Sequence, residues 1–585
     1  MVERRLLLPD WLPIAWLLCA PPWAAAGSLD VQLDAGRIAG SEQLARAWQG
    51  IPYAAPPTGA LRWRAPVPAP AWSGVRDATQ AGPPCAQGAT DAHGTATLAG
   101  SEDCLTLNVY APRVAAGAAL PVMVWIHGGG QLAGTGNAYD GSRLADSEQL
   151  IVVSVNYRLG PFGWFHHPAI TREGGVPVTG QFALQDLLAA LQWVQRNIAA
   201  FGGDPRRVTL FGQSAGAQNI YALLLAPAAR GLFHGAIAES GGLWNMTLDQ
   251  AVNYRDAPVP GTPLSAREVV DRLAVASGKA ADAQAARAWQ LQEPPAALAD
   301  WLRSLPAATL VAPYGADAHA GYDFPSVVYD GMLLPGPDHA LQLGRGDANE
   351  VPVLIGGNRN EDKDFLWQDD ALVRRQRGRL QIRHRREYAA LDRLYSGWWN
   401  AMAVDELLPL LHAPAFAYRF DWDDEPTAPT DLRALYGAAH GLELPFVFGD
   451  FRFAQYHDEL PPPDGAADPT DPFTALFSEA NRTSRERTSA AMMSYWAEFA
   501  RTGRPGTGSR HELPAWNSWQ DSGRKLIFAT RGIRTEAGLL TEAALLRDLA
   551  TTRDLSQAQK CAVLTDNTMY PAYPLELLAR WHCAR

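Results

Sequence analysis

The sequence predicts an α/β fold in which a central, mostly parallel sheet is flanked by helices. Three observations carry that reading. Val208-Thr-Leu-Phe-Gly212-Gln213-Ser214-Ala215-Gly216 reads as an apolar strand that stops at a glycine, presents a serine and continues into a helix from Ala217. Leu120-Pro-Val-Met-Val-Trp-Ile126 is a second apolar strand, and it runs into His127-Gly128-Gly129-Gly130. Val351–Ile355 and Phe416–Trp422 read as later strands, followed by Gly356-Gly357-Asn358-Arg359-Asn360-Glu361 and by Gly437-Ala-Ala-His440-Gly441-Leu-Glu443. Short β-branched and apolar runs bounded by glycine suit strands buried on both faces of a parallel sheet.

Each element has a chemical reading. In Gly-x-Ser-x-Gly the two glycines let the backbone turn sharply from strand to helix, which leaves the Ser214 hydroxyl exposed above the sheet. The helix N-terminus beneath it points amide hydrogens and positive dipole at any charge developing there. A serine hydroxyl is a poor nucleophile unless a base takes its proton and a carboxylate orients that base. On a sheet of this kind the partners follow in the order serine, acid, histidine, each just after a later strand. The bare backbone of Gly128-Gly129-Gly130 can approach a substrate oxygen closely. Competing plainer readings are an ordinary helix N-cap for Ser214 and one unremarkable histidine among thirteen for His440. The pair His166-His167 has no Cys or carboxylate at metal-ligand spacing and reads as surface, so no metal is expected.

With these residues in place, the chain resembles the type-B carboxylesterases, the group that also contains cholinesterases and the bacterial para-nitrobenzyl esterases. The resemblance covers nearly everything after the first residues. Trp48-Gln-Gly-Ile-Pro-Tyr-Ala-Ala-Pro-Pro-Thr-Gly-Ala-Leu-Arg-Trp63 is similar to the family's N-terminal strand and turn, and Ser101-Glu102-Asp103-Cys104-Leu105-Thr-Leu-Asn108-Val to its second signature. Asn156-Tyr-Arg158-Leu-Gly and Asn197-Ile-Ala-Ala-Phe-Gly-Gly-Asp204-Pro205 match further blocks.

The resemblance implies an α/β-hydrolase fold with cap and gorge insertions and no cofactor. It implies Ser214 as nucleophile, His440 as general base then acid, and Glu361 as the orienting acid. The amides of Gly129, Gly130 and Ala215 would form the oxyanion hole. Ser240 and Glu443 would surround the triad, and Arg158 with Asp186 would form an ion pair that supports the fold. Two departures stand out. Asp362, with Asp364 beyond it, stands where the family usually has a small glycine after the acid, so Asp362 is a second candidate for that role. Gln131 replaces a bulky apolar residue and alters the expected pocket wall. Residues 275–300 read as helices of the cap that lines the gorge.

Composition agrees with such an enzyme. The chain has 585 residues, 47 % of them hydrophobic, and 20 tryptophans, which is ample material for a large core. The net charge of −11 and an expected absence of Lys/Arg-rich runs argue against nucleic-acid or anionic-membrane partners. Residues 1–26 read as a secretory leader. Arg4 and Arg5 precede an apolar stretch from Leu6 to Trp23 that Asp10 and Pro13 interrupt, and Ala24-Ala-Ala26 offers a cleavage site. Bulky Leu18 before Cys19 argues against lipidation. Residues 27–585 are expected to form one catalytic domain, with Pro461–Pro472 as a rigid surface loop. A leader directs the chain outside the cytoplasm, to a secreted or periplasmic location without stable membrane insertion, as a monomer or weak homo-oligomer.

Without Cys19 four cysteines remain, in two local pairs: Cys85 with Cys104 and Cys561 with Cys583. The first matches the family's loop-closing bridge. Asn245-Met-Thr and Asn481-Arg-Thr are glycosylation sequons that the bacterial character of the leader suggests are unused. The expected reaction is cleavage of a small carboxylic ester through an acyl-enzyme on Ser214. The alternatives are an amidase or lipase of the same fold, and a non-catalytic cholinesterase-like binding protein.

Overall fold

In the computed structural model, the described residues are 29–42, 44–90, 96–113, 119–173, 176–314, 325–336, 339–376, 379–451, 476–565 and 575–583. The expected leader and the Pro461–Pro472 loop lie outside them.

The site is positioned by one eleven-stranded sheet. Its strands in chain order are β1 (Ser41–Glu42), β2 (Arg46–Pro52), β3 (Thr106–Ala111), β4 (Leu120–Ile126), β5 (Ile151–Val155), β6 (Gly203–Gln213), β7 (Gly235–Glu239) and β8 (Val353–Asn358). A separate two-stranded hairpin, β9 (Val373–Gln376) and β10 (Arg379–Ile382), precedes β11 (Ala415–Asp421), β12 (Arg524–Ala529) and β13 (Gly532–Ala537) of the main sheet. The spatial order is β13-β12-β11-β8-β7-β6-β4-β5-β3-β2-β1. From β12 to β5 every neighbouring pair is parallel, and the two edges are antiparallel.

Both sheet faces are buried, which is why the strands read as continuous apolar runs rather than alternating ones. Along β4, Val122, Val124 and Ile126 enter one core cluster with Leu187, Leu191, Ile220 and Leu223 of α1 (Phe182–Asn197) and α2 (Ala215–Leu225). The alternate residues Met123 and Trp125 enter the opposite cluster with Trp398 of α7 (Arg385–Asn400) and Trp496 of α8 (Arg482–Thr502). The period of two thus survives as a choice of core rather than as core against solvent.

Between β7 and β8 lie α3 (Ala266–Ala276), α4 (Ala283–Gln292), α5 (Pro295–Ser304) and α6 (Ala307–Val311), so residues 275–300 are largely helical as expected. They form a third cluster with Trp63, Phe162 and Phe165. Here two expectations are corrected. His166 and His167 are not surface residues; each is only 4 % exposed. Backbone Ala169 donates to Nδ1 of His167, whose Nε2 lies 3.0 Å from Gln290 Oε1 on α4. Gln290 in turn donates to Asp271 on α3, so His167 is a polar pin inside the cap. Burial drives both imidazoles down to about 4, which keeps them neutral.

The second correction concerns charge. A Lys/Arg-rich run does exist: seven arginines fall between Arg374 and Arg386 without an acidic residue among them. It folds as the β9–β10 hairpin and the start of α7.

The structure bonds Cys85 to Cys104 and Cys561 to Cys583. Arg158 and Asp186 form a buried, two-pronged pair at 2.7 Å on both contacts. Asn481, the first residue of one sequon, is 2 % exposed, and its amide donates to the carbonyls of Leu476 and Asp424 while its oxygen accepts from Ser478 N and Arg485. No helix among the described residues is long and apolar enough to cross a membrane.

Candidate active site

Ser214 sits between β6 and α2 with φ +57 and ψ −124, backbone that a residue with a side chain rarely adopts. Strand register holds it there: its amide donates to Glu239 O at the end of β7. Close packing explains the flanking glycines. A Cβ on Gly216 would meet Ile126 O at 2.0 Å, and one on Gly212 would meet the same oxygen at 2.6 Å. The nucleophile turn is therefore pressed onto the end of β4.

The His127–Gly130 loop leaves that same strand end. Gly129 and Gly130 have φ of +103 and +59, and a Cβ on Gly129 would meet Ala133 O at 2.2 Å. The Gly129 carbonyl accepts from Leu132 and Ala133, which closes the loop on itself. Among the described residues the Gly129 and Gly130 amides donate to no protein acceptor, and the Ala215 amide belongs to the first turn of α2, where helical amides lack intrahelical partners. Gln131 does not form a pocket wall. Its side chain is fully buried, exchanges hydrogen bonds with Asn219 of α2 and donates to Ala215 O. It ties the glycine loop to the helix that follows Ser214.

Glu361 follows β8 and His440 follows β11. His440 Nδ1 lies 2.7 Å from Glu361 Oε2, and Glu361 is fully buried. The other carboxylate oxygen accepts from the Asn358 amide at 2.6 Å, and His440 N donates to Glu361 O. The carboxylate that His440 meets is therefore that of Glu361, while the Asp362 backbone amide donates to Ser396 on α7. Burial pulls the imidazole down, but the Glu361 hydrogen bond and charge, with Glu443 and Asp364 behind it, lift His440 from 6.5 to about 9.

Ser240 and Glu443 are both fully buried, with Ser240 Oγ donating to Glu443 Oε1 at 3.2 Å. Burial first, and then the Glu361 charge, push the Glu443 carboxyl up. Burial and Glu443 push Glu239 well above the carboxylate range, while Trp496 Nε1 donates to it.

Four neighbours escaped the sequence reading. Asn358 donates to Glu361 from its backbone and to Glu443 from its side chain, so one residue holds both carboxylates. Its place three residues beyond the apolar run Val351–Ile355 was visible, but its role was not. Trp399 lies 4.6 Å from His440 ring to ring and donates to Ser240 O, with Phe365 at 5.9 Å from the same imidazole. Gln213, the residue before the serine, places Nε2 3.1 Å from Nε2 of His440. Among the described residues the Ser214 hydroxyl has no hydrogen-bond partner, and the serine–histidine contact is not made in this state. Catalytic hydrogen bonds often tighten only when substrate binds.

A strained serine, a histidine held by a buried carboxylate and unengaged amides beside them suit acyl transfer. The family model described as the carboxylesterase family matches residues 27–390. The chain is 33 % identical over 532 residues to the para-nitrobenzyl esterase of Bacillus subtilis (strain 168), covering 86 % of this chain and 94 % of that protein. It is 32 % identical to a cocaine esterase of Homo sapiens, covering 82 % of each. Among solved structures, a PNB esterase superposes with a TM-score of 0.66 at 30 % identity, over 89 % of this chain and 99 % of the other. The Geobacillus stearothermophilus carboxylesterase at pH 6.2 gives 0.65 at 28 % identity, with the same coverage. The chain belongs to the carboxylesterase family and is a carboxylic ester hydrolase of type B on the α/β-hydrolase fold.

Proposed function

We propose that Ser214 is the nucleophile, His440 its general base and then acid, and Glu361 the group that orients His440. The observation that carries this reading is the 2.7 Å contact between His440 and a carboxylate with no exposure to solvent. Ser214 Oγ attacks the ester carbonyl as His440 Nε2 takes its proton. The tetrahedral oxyanion is held by the amides of Gly129, Gly130 and Ala215, each such donor supplying about 3 kcal/mol to the transition state. His440 returns the proton to the departing alcohol. Water, deprotonated by the same nitrogen, then releases the acid. Ser240, Glu443 and Asn358 keep Glu361 and His440 in place. The test is stoichiometric labelling with a chromogenic phosphonate ester and mapping of the adduct by mass spectrometry. A single adduct on Ser214 is expected, and an adduct elsewhere overturns the assignment.

For substrate, the reading is a small neutral ester rather than a choline ester. The loop closed by Cys85 and Cys104 contains no aromatic residue between Ala86 and Asp103, so it offers no ring to a quaternary ammonium. Trp399 beside His440 is only 4 % exposed and already packed against Trp244, so its face is not open to a cation. The two disulfides suit an extracellular or periplasmic compartment. We place the chain there, delivered by residues 1–26 as a leader, with residues 27–585 acting as one catalytic unit that works as a monomer or weak homo-oligomer.

A further inference from the structure

We propose that the arginine-rich hairpin β9–β10, with the start of α7, is a docking arm for anionic phospholipid surfaces. It is independent of the esterase chemistry. The net charge of the chain is −11, yet Arg374, Arg375, Arg379, Arg383, Arg385 and Arg386 are all exposed and follow one another within a short span.

The register sorts the hairpin into two faces. Arg374 pairs with Gln381 and Gln376 with Arg379, which places these four on one side. All four are exposed. Val373 and Leu380 lie on the other side, buried in the second core cluster, with Ile382 packed against it; Arg375, paired with Leu380, is on that side too but exposed. Val373, Leu380 and Ile382 thus anchor the hairpin to the body, and the outward side carries Arg374, Gln376, Arg379 and Gln381.

This charge is not used up inside the protein. Acidic residues near the arm are Asp369 and Asp370 before it, Glu387 after it and Asp431 beside it. Among the described residues only Arg385 makes an ion pair, with Asp431 at 2.8 Å. Arg374 is held by Gln381 and Arg383 by the Asp370 carbonyl, both neutral acceptors. Among the described residues Arg375, Arg379 and Arg386 meet no carboxylate. Arg385 and Arg386 also stand in the first turn of α7, where the helix dipole disfavours cations, so helix stability does not account for them.

Guanidinium groups bind phosphate oxygens two at a time, which suits lipid headgroups. No Phe, Tyr or Trp is interleaved with the exposed arginines, and His384 is the one ring among them, so stacking on successive nucleic-acid bases is not provided for. The exposed face carries no apolar side chain either, so the association is electrostatic and peripheral.

The test uses the full, disulfide-bonded chain in vesicle sedimentation. Vesicles of phosphatidylcholine alone are compared with vesicles containing about 30 % phosphatidylglycerol. Binding to the anionic vesicles is expected at about 0.05 M salt and should weaken at least about tenfold at about 0.5 M. The triple variant R375Q/R379Q/R386Q should bind at least about tenfold more weakly while hydrolysing a soluble nitrophenyl ester at the wild-type rate. Arg379→Gln alone, a change confined to an exposed side chain, should weaken binding by about threefold to fivefold. Equal binding to both vesicle types, unchanged binding of the variants, or tighter binding to duplex DNA than to vesicles overturns the proposal.

Discussion

The side-chain amide of Gln213 lies 3.1 Å from Nε2 of His440, the imidazole nitrogen that Glu361 does not engage. A glutamine there adds no charge to a histidine already faced by Glu361, Glu443 and Asp364. His440 must be neutral to act as a base, and its pKa is raised to about 9, so the rate should climb with pH through that value. kcat/KM on a neutral ester is expected to rise between pH 6.5 and pH 9, and a midpoint at or below 6.5 contradicts the electrostatics described. Gln213→Glu adds an anion and should move the midpoint up by about one unit, whereas Glu361→Gln removes one and should move it down.

Ser214→Ala should abolish turnover without unfolding the chain, because the side chain is small, only partly buried and without a hydrogen-bond partner among the described residues. His440→Ala should lose nearly as much, since members of a triad act as a unit. Both losses should reach about 10⁴-fold or more in kcat by steady-state assay. Retention of more than about a hundredth of wild-type activity by Ser214→Ala removes it as the nucleophile.

Glu361 and Asp362 are neighbours with different surroundings, and kinetics can separate them. Glu361→Gln should cost about 10³–10⁴ in kcat by removing the charge that stabilises the imidazolium. Asp362→Asn leaves the His440 contact intact and should cost less than about tenfold. The reverse ranking would transfer the orienting role to Asp362.

The loop from Ala86 to Asp103 bears on specificity. Measured at moderate salt, kcat/KM for a neutral butyryl thioester should exceed that for butyrylthiocholine. The missing cation–π contact is worth roughly 0.5–2 kcal/mol, or about 2- to 30-fold. A clear preference for the choline compound means that other residues have built a cation site.

Sequence patterning located the strands that carry Ser214, Glu361 and His440 because each is an apolar run ending in glycine or a polar cluster. β4 coincides with its expected span of Leu120–Ile126, whereas β6 begins at Gly203 rather than Val208. The early part of β6 pairs through Gly203 with Leu120 across an irregularity, and no apolar run signals such a pairing. His167 was misplaced because its side-chain partner, Gln290, lies 123 residues further along the chain, where the sequence around the histidine gives no sign of it. Gln131 was misassigned for a related reason: positive φ at Gly129, Gly130 and Gln131 turns that side chain toward Asn219. The run from Arg374 to Arg386 was legible in the sequence, but a net charge of −11 averages it away, and only the structure shows that it folds as an exposed hairpin and helix start.

The buried amide of Asn481 has a practical consequence for producing this protein. A glycosylating host attaches sugar to an Asn-x-Thr sequon as the chain emerges, before it folds. A glycan on Asn481 would then have to enter the space where that amide meets Leu476 and Asp424 at the start of α8. Yeast or mammalian secretion should therefore yield a misfolded fraction that bacterial expression does not. Thr483 is exposed, so Thr483→Ala erases the sequon, leaves Asn481 in place, and should restore the yield of active enzyme in such hosts.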